Sequence, residues 1–306
     1  MLCGGAATLS LASAAWAQQR PSPHAASHSG PLAPTRLGER LLVIAGAGGN
    51  VVVLDSPEGV LMVNGGAAER SGELLKMVGE QMGGRRVHTL VNTDWHAEHT
   101  GSNEALGQGG ARILAHEHTK QYLREEMFVD WQNRRYKPLS AKALPTETFL
   151  TSAKTTFGGE RMEYGHLGQA HTDGDIYVFF PGPNVLVAGD VLSVGAYPIA
   201  DYTSGGWLGG LVTATKTLLD MTNVDTRIVP GVGAVQTRGH LQAQHEMLVA
   251  MRDRLGKMMR QGMGAPDMIA SGVTKDFDAK WGSPDLFVST AYKGLWLHVR
   301  ELGGVV

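Results

Sequence analysis

Asn92-Thr93-Asp94-Trp95-His96-Ala97-Glu98-His99-Thr100-Gly101 is the stretch that decides how this chain is read. Residues 94–99 hold two carboxylates and two imidazoles. A tight loop after a strand presents such side chains near one point in space, and alternate residues such as Asp94 and His96 can reach the same ion. The β-branched run VHTLVNT, residues 87–93, is the strand expected to deliver that loop.

Working outward, LLVIAG (41–46), NVVVLDS (50–56) and VLMVNGG (60–66) are short apolar runs separated by Gly-rich turns, which predicts an antiparallel meander. Helical spacing covers 67–81, a short helix is expected at 103–106, ARILAH (111–116) reads as a strand, and 117–128 reads as a helix. Strands are expected at 161–167, 176–180, 185–188 and 227–229, and helices at 207–220, 241–261 and 286–302. No internal repeat and no clean domain break follows Arg36.

Two further landmarks accompany the loop. Gly168-Gln169-Ala170-His171-Thr172-Asp173-Gly174-Asp175 places a histidine in a polar turn, and Val185-Leu186-Val187-Ala188-Gly189-Asp190 is an apolar strand closing on Gly-Asp. Together with Pro230-Gly231-Val232-Gly233 they resemble, in order, the motifs of the metallo-β-lactamase superfamily. The signature of that family at 93–99 is Thr-His-x-His-x-Asp-His.

The resemblance runs from about Leu41 to the C-terminus. It implies an α/β fold, a four-layer αβ/βα sandwich of two mixed sheets flanked by helices. It also implies a first metal held by positions 94, 96 and 171, a second held by 98, 99 and 232, and a bridging carboxylate at 190. His96, His99, His171 and Asp190 match. Asp94 stands where a histidine is usual, Glu98 where an aspartate is usual, and Val232, which has no lone pair to donate, where a histidine is usual.

Asp94, His96, His171 and Asp190 are sufficient for a four-coordinate ion, since a carboxylate oxygen binds zinc at about the distance of an imidazole nitrogen. Glu98 is one methylene longer than Asp, which displaces its carboxylate by about 1.5 Å against a tolerance of about 0.2 Å in ligand distances. With Val232 silent, the second position is expected to be weak or empty, although His99 and Glu98 remain beside it. One zinc ion is therefore expected, and the carboxylate-richer donor set also admits Mn or Fe.

The resemblance implies an exported metal-dependent hydrolase acting on a small ester, lactone, thioester or amide through water that the ion activates. Asp190 and Glu98 are the candidate catalytic carboxylates, Glu98 orienting the water or accepting its proton. The alternative is a binding protein that keeps the fold and has lost catalysis. A lesser alternative is a mononuclear iron sulfur dioxygenase, because two histidines and a carboxylate also suit non-haem iron.

Composition and charge favour small-molecule partners. At 306 residues and 42% hydrophobic the chain can bury a full core. A formal net charge of -2 offers no basic field for nucleic acid, and no charge run suggests a membrane surface. Residues 2–14 are small and apolar, and Ala15-Trp16-Ala17 fits the small-x-small cleavage pattern, which predicts a signal peptide over 1–17 and a periplasmic or secreted protein starting at Gln18. No Lys or Arg precedes the apolar core, so an ordinary disordered N-terminus is the competing expectation. The single cysteine, Cys3, falls inside this segment, leaving no thiolate ligand in a mature chain. Residues 18–36, rich in Pro, Ser and His, read as a disordered tether holding solvated His24 and His28, with the domain spanning 37–306.

The remaining histidines carry bland expectations. His116 and His118 are expected to cap a helix or lie on the surface; His88, His166, His240, His245 and His298 are expected to pack or be solvated. Asn64 ends its strand where a hydrogen-bonding aspartate is frequent in relatives, and its amide can keep part of that role. Tyr197, Asp201, Tyr202 and Trp207 either line a pocket or sit in a solvated loop.

Overall fold

The computed structural model describes residues 30–298. The proposed signal segment with Cys3, and His24 and His28, lie outside the described residues.

The first described strand lies inside the segment read as a tether. Residues 33–36 form β1 (Ala33–Arg36), antiparallel to β2 (Leu41–Ala45). This corrects the tether's expected end at residue 36. All four β1 side chains are exposed, so the strand leaves no apolar alternation in the sequence, and Pro34 is tolerated because β1 is an edge.

β2, β3 (Val51–Ser56) and β4 (Gly59–Val63) form the expected meander. α1 (Ser71–Gln81) then leads to β5 (Val87–Val91), parallel to β4, and the motif loop follows with α2 (Ala97–Thr100) and α3 (Asn103–Gln108). β6 (Arg112–His116) lies parallel to β5 and leads into α4 (Glu117–Arg124). The helix expected to reach Phe128 stops at Arg124, because β7 (Met127–Val129) pairs with β8 (Arg134–Tyr136) in a separate hairpin. β9 (Glu147–Phe149) completes a seven-stranded sheet.

The second sheet has six strands: β10 (Ser152–Phe157), β11 (Glu160–His166), β12 (Ile176–Phe180), β13 (Val185–Gly189), β14 (Arg227–Pro230) and β15 (Gln236–Thr237). β13 and β14 are parallel, joined through α5 (Leu208–Met221). α6 (Arg238–Arg260), α7 (Ala265–Ala270), α8 (Asp278–Trp281) and α9 (Asp285–Leu297) close the described chain.

Period-2 alternation sorts each strand's side chains between layers. In β2, Leu41 and Val43 face the second sheet, while Leu42 and Ile44 face α1; Val52 and Leu54 of β3 divide from Val51 and Val53 in the same way. Met162, Val178, Phe180 and Val187 supply the other half of the inter-sheet core. On the outer face of the second sheet, Leu186, Ala188 and Ile228 pack against Leu211, Leu248, Phe287 and Leu295 of α5, α6 and α9. The result is the expected α/β/β/α sandwich of two mixed sheets. Among the described residues no helix is long and apolar enough to cross a membrane.

The C-terminal ends of the parallel strands β5, β13 and β14 deliver the 92–99 loop, Asp190 and the 231–233 turn to one region. This is where open α/β sheets leave a crevice.

Candidate metal centre

The loop after β5 is held by buried polar bonds rather than by regular structure. Asn64, in the left-handed conformation at φ 67°, accepts from the Thr93 backbone N–H at 2.9 Å and from its hydroxyl at 3.0 Å. Asn64 thus carries the expected structural role. Asn92 and Asn103 exchange amide hydrogen bonds, and Asn92 also donates to the His99 carbonyl. Across the site, Asp175 accepts from the backbone N–H groups of His171 and Thr172 and from the Thr172 hydroxyl, which fixes the loop carrying His171.

Six donors expected from sequence meet two different fates. Asp94, His96, His99, His171 and Asp190 converge and are buried. Their donor atoms form two groups, His96 with His171 and Asp190, and Asp94 with His99 and Asp190, each lying within 4.8 Å. Glu98, in the first turn of α2 and half-buried, belongs to neither group. Asp94 Oδ2 stands 3.5 Å from His99 Nε2, on the side where Glu98 was expected. Val232 lies in the wall of the pocket that reaches His171 and Asp190.

The tautomers follow from the outer bonds. His171 Nδ1 donates to the Ile199 carbonyl at 2.8 Å, so its Nε2 lone pair points inward. His96 Nε2 donates to Asp201 Oδ2 at 3.2 Å, which turns its Nδ1 inward as well, 3.3 Å from Asp94 Oδ1. These two inward nitrogens are 3.2 Å apart. Two facing lone pairs repel unless a cation or proton lies between them, so the donor set fits a metal ion. Asp190 shares its oxygens between the groups: Oδ1 is 3.1 Å from His99 Nε2 and Oδ2 is 3.5 Å from His171 Nε2.

Electrostatics agree with this geometry. Burial opposes a charge on His99, but the Asp94 and Asp190 carboxylates outweigh it and raise the imidazole to about 10. His96 is likewise raised well above its ordinary value against the effect of burial, through Asp201 and Asp94. For His171, burial and the neighbouring His96 lower the pKa. In the absence of an ion, protons thus supply the positive charge that these carboxylates require.

Asp201 is the residue that sequence reading undervalued. It is fully buried; its Oδ1 accepts from Trp131 Nε1 at 3.0 Å and its Oδ2 from the Ser204 hydroxyl at 2.8 Å, besides His96. Burial would raise its pKa, yet the bond to His96 holds it at about 2. An aspartate in a Gly-rich loop carries no spacing that betrays such a partner. Of its companions, Tyr197 stacks on Phe287, Trp207 on His298, and Tyr202 joins Asp130 and Lys293, so none of the three reaches the metal groups.

Gly231 has a steric reason to be glycine: a Cβ there would stand 1.8 Å from Asp190 Oδ1. The remaining histidines behave as expected. His116 caps α4 by accepting from the His118 N–H, His166 stacks on His116, His240 donates to the Ser193 carbonyl and His245 meets the Thr215 hydroxyl. His88 lies against Phe157.

Known proteins provide the context for this centre. The profile described as the metallo-beta-lactamase superfamily matches residues 45–251, more than half of the chain. A type 2 metallo-beta-lactamase of Bacillus cereus is 24% identical over 197 residues, covering 63% of this chain and 70% of that protein. Among solved structures, a metallo-beta-lactamase from Pontibacter korlensis superposes with a TM-score of 0.60 at 20% identity, over 72% of this chain and 99% of that one. The sec-alkylsulfatase Pisa1 from Pseudomonas sp. superposes with a TM-score of 0.66 at 13% identity, over 86% of this chain but only 50% of its own. With two mixed sheets between helices and a His/Asp centre at the ends of their parallel strands, the chain belongs to the metallo-β-lactamase superfamily.

Proposed function

We propose that the protein is an exported, metal-dependent hydrolase of small esters, lactones, thioesters or amides, with zinc at His96, His171 and Asp190. One observation carries the reading: the inward nitrogens of His96 and His171, 3.2 Å apart, meet a carboxylate that also opens to the pocket. A bound ion would lower the pKa of a water toward neutrality and stabilise a developing oxyanion.

The protein's own groups set up the rest. The Ile199 carbonyl and Asp201 hold the two imidazoles in the tautomers that face the ion. Asp190, at the pocket wall, is the carboxylate placed to orient a water or take its proton. Glu98 was expected in that role, but its position outside both donor groups favours Asp190. Leu192, Val194, Pro198, Ile199 and Val232 line the pocket with apolar surface and present no cation, which suits the uncharged part of a small substrate.

Elemental analysis of protein purified without chelator, alongside a panel of neutral aryl esters and lactones, tests the reading. Bound zinc lost together with hydrolysis in His171→Ala supports it. Full metal loading without turnover on any carbonyl substrate would favour the binding-protein alternative. Iron as the retained metal, with sulfur oxidation, would favour the dioxygenase. Export is tested by N-terminal sequencing of periplasmic protein, which should begin at Gln18.

A further inference from the structure

We infer that Asp94 has changed ions, leaving the first metal position and rebuilding a second one with His99 and Asp190. The inference rests on the metal-binding part of the proposed function and extends it from one ion to an unlike pair.

By resemblance, position 94 belongs with 96 and 171, and the second ion depends on 98, 99 and 232. Here Asp94 Oδ1 accepts from the His96 backbone N–H at 2.8 Å and lies 3.3 Å from His96 Nδ1, while Oδ2 faces His99 Nε2 at 3.5 Å; Asp94 is nonetheless outside the group formed by His96, His171 and Asp190. Donor atoms of Asp94, His99 and Asp190 lie within 4.8 Å of one another, all buried. Glu98 and Val232 contribute nothing to either group. The aspartate missing at 98 is therefore supplied from 94, four residues earlier in the same loop.

His99 is the independent sign that something belongs there. Its ring is buried, and neither Nδ1 nor Nε2 has a hydrogen-bond partner. Nε2 stands 3.1 Å from Asp190 Oδ1 and 3.5 Å from Asp94 Oδ2. A buried imidazole nitrogen with carboxylate oxygens on two sides has the donor arrangement of a metal site. Two neighbouring buried carboxylates also demand positive charge between them.

The two positions then differ in kind. The first offers two imidazoles and a carboxylate; the second offers one imidazole and two carboxylates, a harder set that favours Mn(II) over a softer competitor. Asp190 joins the two.

The test loads the full chain with Mn(II), and separately with Co(II), removes excess ion, and measures metal per chain together with the electron paramagnetic resonance spectrum. Two ions per chain with a spin-coupled spectrum are expected. Asp94→Asn and His99→Gln should each retain one ion and lose the coupling, while Glu98→Gln should keep both; circular dichroism confirms that each variant is folded. One ion in the parent protein, lost in His171→Ala but indifferent to His99→Gln, overturns this inference and leaves the proposed function standing. Loss of the second ion in Glu98→Gln also overturns it, because Glu98 would then be the ligand. No ion in any form removes the proposed function as well.

Discussion

The chain contains two histidine clusters that sequence alone hardly separates, and their surroundings are opposite. His96, His99 and His171 face carboxylates, each with a ring nitrogen within 3.5 Å of at least one carboxylate oxygen. His116, His118 and His166 face mainly each other and the backbone: His116 Nε2 donates to the Leu150 carbonyl, His118 Nδ1 and His166 Nε2 both donate to the Asp173 carbonyl, and only His118 comes near a carboxylate, 3.3 Å from Asp173 Oδ2. His116 and His166 stack with centroids 3.8 Å apart. Among the described residues no group able to hold a metal includes these three. Nearby carboxylates raise His96 and His99, whereas burial and neighbouring imidazoles lower His116 to about 4 and also lower His166. Histidines are thus separated into ligands and packing residues by what their second nitrogen meets, not by their number or spacing.

The largest difference between the clusters should emerge on truncation. His171→Ala removes a ligand from the first group and should lower hydrolysis by about three powers of ten, the rate equivalent of the several kcal/mol a bound ion contributes. His166→Phe, which keeps a ring against His116, should leave turnover within about threefold, a change worth under 1 kcal/mol. Equal losses in the two variants, measured as kcat/KM on the same ester, would erase the distinction.

Asp201→Asn tests the outer support of the first cluster. The amide can offer His96 an N–H instead of an acceptor and unsettles the Nε2–H tautomer, so metal affinity should fall by about 10- to 100-fold. A chelator competition titration measures this. Thermal stability should change far less, because the amide oxygen can keep the Trp131 bond at the Oδ1 position and the Ser204 hydroxyl can turn to accept from the amide N–H.

Proton linkage sharpens the contrast in opposite senses. His99, at about 10 without an ion, must lose a proton to become a ligand. Affinity for the ion at Asp94, His99 and Asp190 should therefore rise with pH through neutrality, by up to about tenfold per unit. His116 works through folding instead. Its folded value of about 4 lies below the unfolded 6.5, so the unfolded chain binds more protons between those limits. Stability should fall as pH drops from 6.5 toward 4, by on the order of 1–3 kcal/mol from this residue. Urea unfolding at pH 7 and pH 4.5 should show a smaller difference in His116→Phe than in the parent.

Much of the frame was legible because apolar alternation and apolar runs mark strands that are buried on both faces, as in β2 to β5 and β12 to β14. β1, β9 and β10 were not, since edge strands with exposed side chains satisfy their backbones without an apolar pattern. In the centre, His96, His171 and Asp190 could be found because each sits in a motif fixed by a strand end. The placement of Asp94 could not. Which of two adjacent ions a loop carboxylate serves depends on rotation about its side-chain bonds, here set by the His96 N–H, and that leaves no mark in spacing. Asp201, at 105 residues from His96, is visible only after folding brings them together.

Glu98 provides the smallest expected effect and the finest comparison, because it lies next to His99 in sequence yet outside both donor groups. Were sequence position decisive, Glu98→Gln would remove a ligand and a base, and both metal content and kcat would collapse. Geometry predicts otherwise. Glu98 adds to the field that favours protonated His99 only after Asp94 and Asp190. Its amide should slightly ease loss of that proton, leaving metal content unchanged and kcat within about threefold, under 1 kcal/mol in the barrier. The same change at Asp94, which is shorter by one methylene and four residues earlier, should cost an ion. A pair of side chains with identical chemistry would then differ only through which one the loop turns toward His99.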